Sequence, residues 1–109
     1  MATLSAAELQ QARIDLAAAF RWAVRHGLHE GICNHFSLAV GDDQFLINAY
    51  GYHWSEITAS SIVLAHYDGE VIEGEGEVEA TAFYIHSRIH KHCPQAICVM
   101  HTHMPYATA

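Results

Sequence analysis

The chain has 109 residues, of which 51% are hydrophobic, and its 5 basic and 12 acidic residues give a net charge of −7 with histidine neutral. This length predicts a single domain with a core of its own. The acidic balance argues against nucleic acid and against an anionic membrane surface as partners, because both are bound through Lys and Arg. Three cysteines without CxxC spacing indicate a reduced, cytoplasmic setting, and the charged N-terminal segment is not typical of a signal peptide.

The segment LSAAELQQARIDLAAAFRWAVRHG predicts an amphipathic helix. Ser5 and Glu8 have the spacing of a capping box, in which each side chain binds the backbone N–H of the other residue. Leu4 and Leu9 have the spacing of a hydrophobic staple. Gly27 is a typical C-terminal stop.

Two β-hairpins are predicted next. In GICNHFSLAVGDDQFLINAYG, two alternating runs flank the turn residues GDD. The apolar positions of these strands share one face each: Phe36, Leu38 and Val40 on the first strand, Phe45, Ile47 and Ala49 on the second. The polar segment SEITASS suits a short helical turn. In IVLAHYDGEVIEGE, an Asp-Gly pair predicts the second hairpin.

The segment EATAFYIHSRIHKHCP predicts a second helix, which Pro94 ends. The helical spacing predicts an apolar face made of Ala82, Ile85, Ile89 and Cys93. The following segment QAICVMHTH is predicted to be a buried strand.

His101 and His103 end that strand. Residues two apart on a strand point to the same face, so the two imidazoles are aimed into one small volume. Imidazole is a common ligand of Zn²⁺. The spacing alone favours a metal site no more than it favours two ordinary polar residues at a strand end.

Further histidines lie on the second helix. His86 and His90 are four residues apart, a spacing that can also bind metal. Because His86 falls on the apolar stripe, we expect it to be a hydrogen-bonded core histidine rather than a ligand. His90 and His92 are expected to lie in solvent.

Two polar segments allow a functional and an ordinary interpretation. The alternating glutamates of EGEGEVE are typical of a solvated strand end or loop; the functional alternative places Glu79 as a carboxylate near the metal. In GICNHFS, the residues Gly31, Asn34 and Ser37 could surround an oxyanion. An ordinary turn with side-chain caps explains them equally well.

The order of these motifs resembles the class II aldolase/adducin family, from about Ala6 to the last residue. After the first helix come GxxNHFS, FLINAYGYHWSEIT, an Asp-Gly hairpin, TAFYIHSRIH and PxAxxVMHTHxxYATA. The resemblance implies an α/β fold of three layers, α/β/α, on a mostly antiparallel central sheet. It also implies a divalent metal, usually Zn²⁺, and a homo-oligomer, which would be a tetramer.

The same resemblance implies how far the domain and its site extend. Residues 1–109 correspond to the N-terminal portion of a class II aldolase/adducin-like domain, because the family's third metal-binding histidine belongs to a later HG motif. The site positions carried over are Asn34, Gly51 and Thr81 for substrate, and His101 and His103 for metal. The position of the family's catalytic glutamate is Ala82, so Glu79, one helical turn earlier, is the expected catalytic carboxylate.

These expectations support a metal-dependent, aldolase-like lyase that acts on a small hydroxy-carbonyl substrate, either a sugar phosphate or a hydroxy-acid. A bound Zn²⁺ polarises the substrate oxygens, and a nearby carboxylate moves the proton. The alternative, favoured by Ala82, is a non-catalytic, adducin-like binding or assembly module. A third hypothesis is a metal sensor that uses His101, His103 and a surface carboxylate.

Overall fold

A computed structural model of the chain describes residues 4–28 and 34–102. Its helices and strands follow one another in this order: α1 (Ala6–Arg25), β1 (His35–Gly41), β2 (Gln44–Asn48), β3 (Ile62–His66), β4 (Val71–Glu73), α2 (Ala80–His92) and β5 (Cys98–His101). The polar segment between β2 and β3 forms two short 3₁₀ turns, at Trp54–Glu56 and Ala59–Ser61.

The first helix forms as predicted because its end signals are local. The Ser5 hydroxyl accepts a hydrogen bond from the Glu8 backbone N–H at 3.2 Å, and the Glu8 carboxylate accepts one from the Ser5 N–H at 3.1 Å. This reciprocal pair satisfies two backbone donors that the first turn leaves without helical partners. At the other end, Gly27 has a φ of 67°, the left-handed conformation that glycine adopts without strain.

The strands form one sheet in the order β4-β3-β2-β1-β5, and each neighbouring pair is antiparallel. Both predicted hairpins are confirmed. The first turns at Asp42–Asp43, where Asp43 has a φ of 63°, and the second turns through Gly69 at a φ of 107°. In the glutamate-rich segment after β4, Glu75 and Glu77 are exposed, in agreement with its ordinary interpretation, whereas Glu79 is half-buried at the start of α2.

The helices cover opposite faces of this sheet, which gives the predicted three-layer α/β/α fold. On the α1 face, Phe20 stacks on Phe36 with ring centroids 5.0 Å apart and meets the edge of Trp54 at 4.7 Å. On the α2 face, Ala82 packs with residues of β2 and β3, including Phe45 and Val63. Strand β1 contributes to both layers, since its alternating side chains point to opposite faces.

Two expectations about burial are wrong. On α2, Ile85 is 38% exposed and Cys93 is exposed, whereas the buried residues are Ala82, His86, Ser87 and His90. The helix is rotated from its predicted orientation because its inward residues meet polar side chains of β1. Strand β5 is not buried either: Met100 is 60% exposed, since β5 lies at the edge of the sheet beside β1.

No helix within residues 4–28 and 34–102 is both long enough and apolar enough to cross a membrane.

Candidate metal and substrate site

A pocket of about 350 Å³ lies at the end of the sheet where β1 begins and where β2 and β5 end, next to the start of α2. Its walls are formed by Asn34, His35, Asn48, Tyr50, Glu79, Thr81, Ala82 and His101. Four of the residues predicted from the sequence therefore meet in one cavity. Gly51 directly follows the wall residue Tyr50, and His103 lies outside the described residues.

His35 and His101 are direct neighbours in this pocket. They are opposite each other in the antiparallel pairing of β1 with β5, and their ring centroids are 4.4 Å apart at an interplanar angle of 64°. His35 was not among the residues predicted to form the site. Its alternation with Phe36 could have shown that it shares a strand face with Ser37, but only the β1–β5 pairing brings it to His101.

The donor chemistry of the pocket suits a divalent metal such as Zn²⁺, which binds imidazole nitrogen and carboxylate oxygen. His35 and His101 supply two imidazoles, and Glu79 supplies a carboxylate in the same cavity. Within the part of the chain that the structure describes, no three His, Cys, Asp or Glu side chains converge closely enough to hold an ion. The predicted ligand His103 lies beyond that part.

A series of hydrogen bonds between buried side chains, called the hydrogen-bond chain below, runs from His35 away from the pocket through His86, Ser37 and His90. His35 Nδ1 lies 2.5 Å from His86 Nε2, and His86 Nδ1 lies 2.5 Å from Ser37 Oγ. Ser37 Oγ lies 2.7 Å from His90 Nε2. The hydrogen-bond chain ends at the Ala96 carbonyl oxygen, which lies 2.9 Å from His90 Nδ1.

The structure tests the three expectations about the histidines of α2. His86 is fully buried and hydrogen-bonded on both ring nitrogens, so its prediction as a core histidine is confirmed. His90 was expected in solvent, but it is only 3% exposed because α2 turns it toward Ser37. His92 is exposed, as expected.

Burial also determines the charge state of His86 and His90. Desolvation, followed by the proximity of His35 and His90, lowers the pKa of His86 to about 3. Burial likewise lowers the pKa of His90, against a smaller opposing effect of the bond to Ala96. Both imidazoles are therefore neutral near pH 7.

Glu79 has a structural role besides its place in the pocket. It is the N-cap of α2, where its carboxylate Oε2 accepts a hydrogen bond from the Ala82 backbone N–H at 2.8 Å. This bond, with a further one from the Thr81 backbone, lowers the pKa of the Glu79 carboxyl. The carboxylate is thus ionised near pH 7 and lines the same pocket as His35 and His101. Ala82, which the resemblance places at the position of a catalytic glutamate, lines the same cavity.

The segment leading into β1 is anchored through one carbonyl. The Asn34 carbonyl oxygen accepts hydrogen bonds from Asn48 Nδ2 and from Trp54 Nε1, both at 3.2 Å. These bonds hold Asn34 at the pocket wall. Ser37, which was one of the residues that could have surrounded an oxyanion, is instead fully buried in the hydrogen-bond chain, so the functional alternative is wrong for Ser37. Gly31 lies outside the described residues.

Comparisons with known proteins agree with this architecture. The family described as Class II Aldolase and Adducin N-terminal domain matches residues 14–109. A Pseudomonas aeruginosa protein with an aldolase class 2 name is 40% identical over 104 residues, covering 94% of this chain and 40% of its own length. Alpha-adducin of Rattus norvegicus is 35% identical over 102 residues, covering 89% of this chain and 14% of its own.

A solved structure extends the likeness to three dimensions. The L-fuculose 1-phosphate aldolase from Glaciozyma antarctica superposes with a TM-score of 0.86 at 27% identity, over 97% of this chain and 46% of that protein. The chain therefore spans less than half the length of each of these relatives.

Proposed function

Because this chain belongs to the class II aldolase and adducin family, we propose that it forms part of a metal-dependent lyase site for a small hydroxy-carbonyl substrate. The observation that supports this proposal is the pocket itself. It brings His101 together with Glu79, Asn34 and Thr81, which come from different parts of the chain. Class II aldolases generally use a divalent metal, and we propose Zn²⁺ because two imidazoles, those of His35 and His101, line the pocket.

In this proposal each group has a separate task. A bound metal would polarise the carbonyl and hydroxyl oxygens of the substrate and so ease cleavage of the carbon–carbon bond. His101 and His103 would hold the metal. Glu79, ionised and at the pocket wall, takes up the proton of the substrate hydroxyl as the bond breaks.

The remaining wall residues orient the substrate. The Thr81 hydroxyl and the Asn34 amide are neutral hydrogen-bonding groups that suit hydroxyl, carbonyl or carboxylate oxygens. Gly51 would approach the substrate through its backbone, beside Tyr50. A hydroxy-acid and a sugar phosphate remain the two substrate classes in this proposal.

The test is an assay of retro-aldol cleavage on the protein as its gene encodes it, after loading with Zn²⁺, Mn²⁺ or Co²⁺. A panel of sugar phosphates and hydroxy-acids is offered, and His101→Ala is compared with His92→Ala, which removes an exposed imidazole. We expect His101→Ala alone to lose both metal and turnover. Stoichiometric metal binding with no turnover on any member of the panel would contradict the lyase proposal.

The second candidate is a non-catalytic binding or assembly module of the adducin type. Ala82 favours it, because this alanine stands where the family's aldolases have their catalytic glutamate. The 35% identity to alpha-adducin also favours it. Homo-oligomerisation, as a tetramer, is expected under either candidate, and light scattering of the metal-loaded protein measures it. Under the second candidate, assembly persists in His101→Ala.

A further inference from the structure

We propose that His35 is a metal ligand of this site and that it binds the metal through Nε2. The hydrogen-bond chain that starts at His35 Nδ1 fixes the ring in the tautomer that metal binding requires. The proposal rests on the proposed function only in assuming that the pocket holds a divalent metal.

The direction of the bonds is set at the far end of the chain. A carbonyl oxygen only accepts, so the contact between Ala96 and His90 requires a proton on His90 Nδ1. A neutral imidazole carries one N–H, so His90 Nε2 has a lone pair and accepts from the Ser37 hydroxyl. That uses the only proton of Ser37, whose oxygen must then accept from His86 Nδ1.

The same count continues to the pocket. With its proton on Nδ1, a neutral His86 has a lone pair on Nε2, and this nitrogen accepts from His35 Nδ1. A neutral His35 therefore carries its lone pair on Nε2. His86 and His90 are buried, and with one N–H on each ring this is the only arrangement that pairs a donor with an acceptor at every contact. Metal binding requires the neutral ring with a lone pair on the coordinating nitrogen.

The ring is also in the right place. His35 lines the pocket and faces His101 across the paired strands, with the ring centroids 4.4 Å apart. Two imidazoles bound to one tetrahedral Zn²⁺ at Zn–N distances of about 2.0–2.1 Å have centroids roughly 5 Å apart. The two rings thus need to separate by less than about 1 Å to share an ion.

The surroundings resemble the outer shell that metal-bound histidines usually have. Such a histidine donates its other N–H to a fixed acceptor, which orients the ring and makes the binding nitrogen more basic. Here the acceptor is His86, itself held through Ser37 and His90. Strand β1 fixes the backbone of His35, because it is paired on both sides, with β2 and β5.

The first experiment needs no variant. Long-range ¹H–¹⁵N NMR of the protein as its gene encodes it reports the tautomer of each histidine before and after Zn²⁺ is added. We expect His35 to keep its proton on Nδ1 and its Nε2 resonance to move to that of a zinc-bound nitrogen. An Nε2 resonance of His35 that does not change at saturating Zn²⁺ would overturn the proposal.

The second experiment measures Zn²⁺ affinity in His35→Gln and His101→Gln, with His92→Gln as the matched control. We expect affinity to fall at least 100-fold in the first two, more than the loss of an outer-shell partner causes, and to stay unchanged in the control. If His101→Gln loses metal while His35→Gln stays within threefold of the parent, His35 is not a ligand and the proposed site stands. If neither changes, the metal site itself is wrong.

Ser37→Ala tests the hydrogen-bond chain separately, because it keeps the imidazoles of both His35 and His101. We expect an affinity loss of about 10–100-fold, the usual effect of an outer-shell change. Unchanged affinity, with His35 in its original tautomer by NMR, would overturn the role of the chain.

Discussion

The two faces of strand β1 differ in chemistry, one apolar and one polar, although each lies under a helix. On the α1 face, β1 contributes Phe36 and Val40 to a core that contains Phe20 and Trp54. On the α2 face, the same strand contributes His35 and Ser37, which meet buried histidines rather than apolar side chains. The strand thus has one face of each kind within a few residues.

This contrast separates stability from chemistry. The apolar face gains stability from burial and does not depend on protonation. The polar face is stable only while each buried donor meets an acceptor, since an unpaired buried polar group is costly. Such a set of bonds orients side chains at the pocket more strictly than apolar packing does. We therefore expect the two faces to respond differently to substitution and to pH.

The largest effect is expected on the apolar face. Phe20→Ala removes a fully buried ring that contacts Phe36 and Trp54, and it should lower the free energy of unfolding by about 3–5 kcal/mol. Ile14→Ala, at a 45% exposed position of the same helix, should change it by less than about 0.5 kcal/mol. Urea unfolding measures both. Equal effects would show that α1 does not pack as described.

The next effect is expected at the centre of the polar face. Ser37→Ala removes the hydroxyl that joins His86 to His90 and leaves a ring nitrogen of each without its partner. The cost should be about 1–3 kcal/mol. Ser87→Ala is the matched control: Ser87 is also buried, although it lies on α2, and its hydroxyl donates one hydrogen bond of 3.5 Å to the Tyr84 carbonyl oxygen. If Ser37→Ala lowers the free energy of unfolding no more than Ser87→Ala does, the hydrogen-bond chain is not formed as described.

The two faces should also differ in their response to pH. The folded-state pKa of His86, about 3, lies below the ordinary value of 6.5, so below pH 6.5 the unfolded chain binds the extra proton. Stability is therefore full above that pH and is lost as the pH falls. Between pH 7.5 and 5 the loss from His86 should be about 2 kcal/mol, and His90 adds to it in the same direction.

Denaturant unfolding across this pH range, in the presence of a chelator, measures the effect. His86→Gln should flatten the slope below pH 6 by up to about 1.4 kcal/mol per pH unit, and His92→Gln should leave it unchanged. Stability that does not fall between pH 7.5 and 5 would show that the histidines are not buried in the neutral form.

The sequence predicted what local signals determine. The capping box of Ser5 and Glu8 and both hairpin turns were predictable because the residues that form them are close in the chain. The rotation of α2 was not, because it depends on which β1 side chains the helix meets; the pattern placed Ile85 inside and His90 outside, and both were wrong.

The candidate site divides in the same way. Asn34, Thr81, Glu79 and His101 could be named from motifs together with the family resemblance, and the structure brings them into one pocket. His35 could not, because nothing in GxxNHFS shows which strand lies beside it. Only the pairing of β1 with β5 makes it a neighbour of His101, and such long-range pairing is not encoded in any short segment.

The smallest expected effect concerns Glu79, which takes part in both the fold and the pocket. Glu79→Ala removes the N-cap of α2 and should lower the free energy of unfolding by about 1 kcal/mol, as Ser5→Ala should on α1. Glu79→Ser keeps a capping oxygen but removes the carboxylate, so its stability should stay within about 0.5 kcal/mol of the parent. Under the lyase proposal, both variants of Glu79 should lose turnover on whatever substrate the panel identifies. If Glu79→Ser restores stability and also keeps full turnover, Glu79 is only a cap, and the proton must move through another group of the pocket.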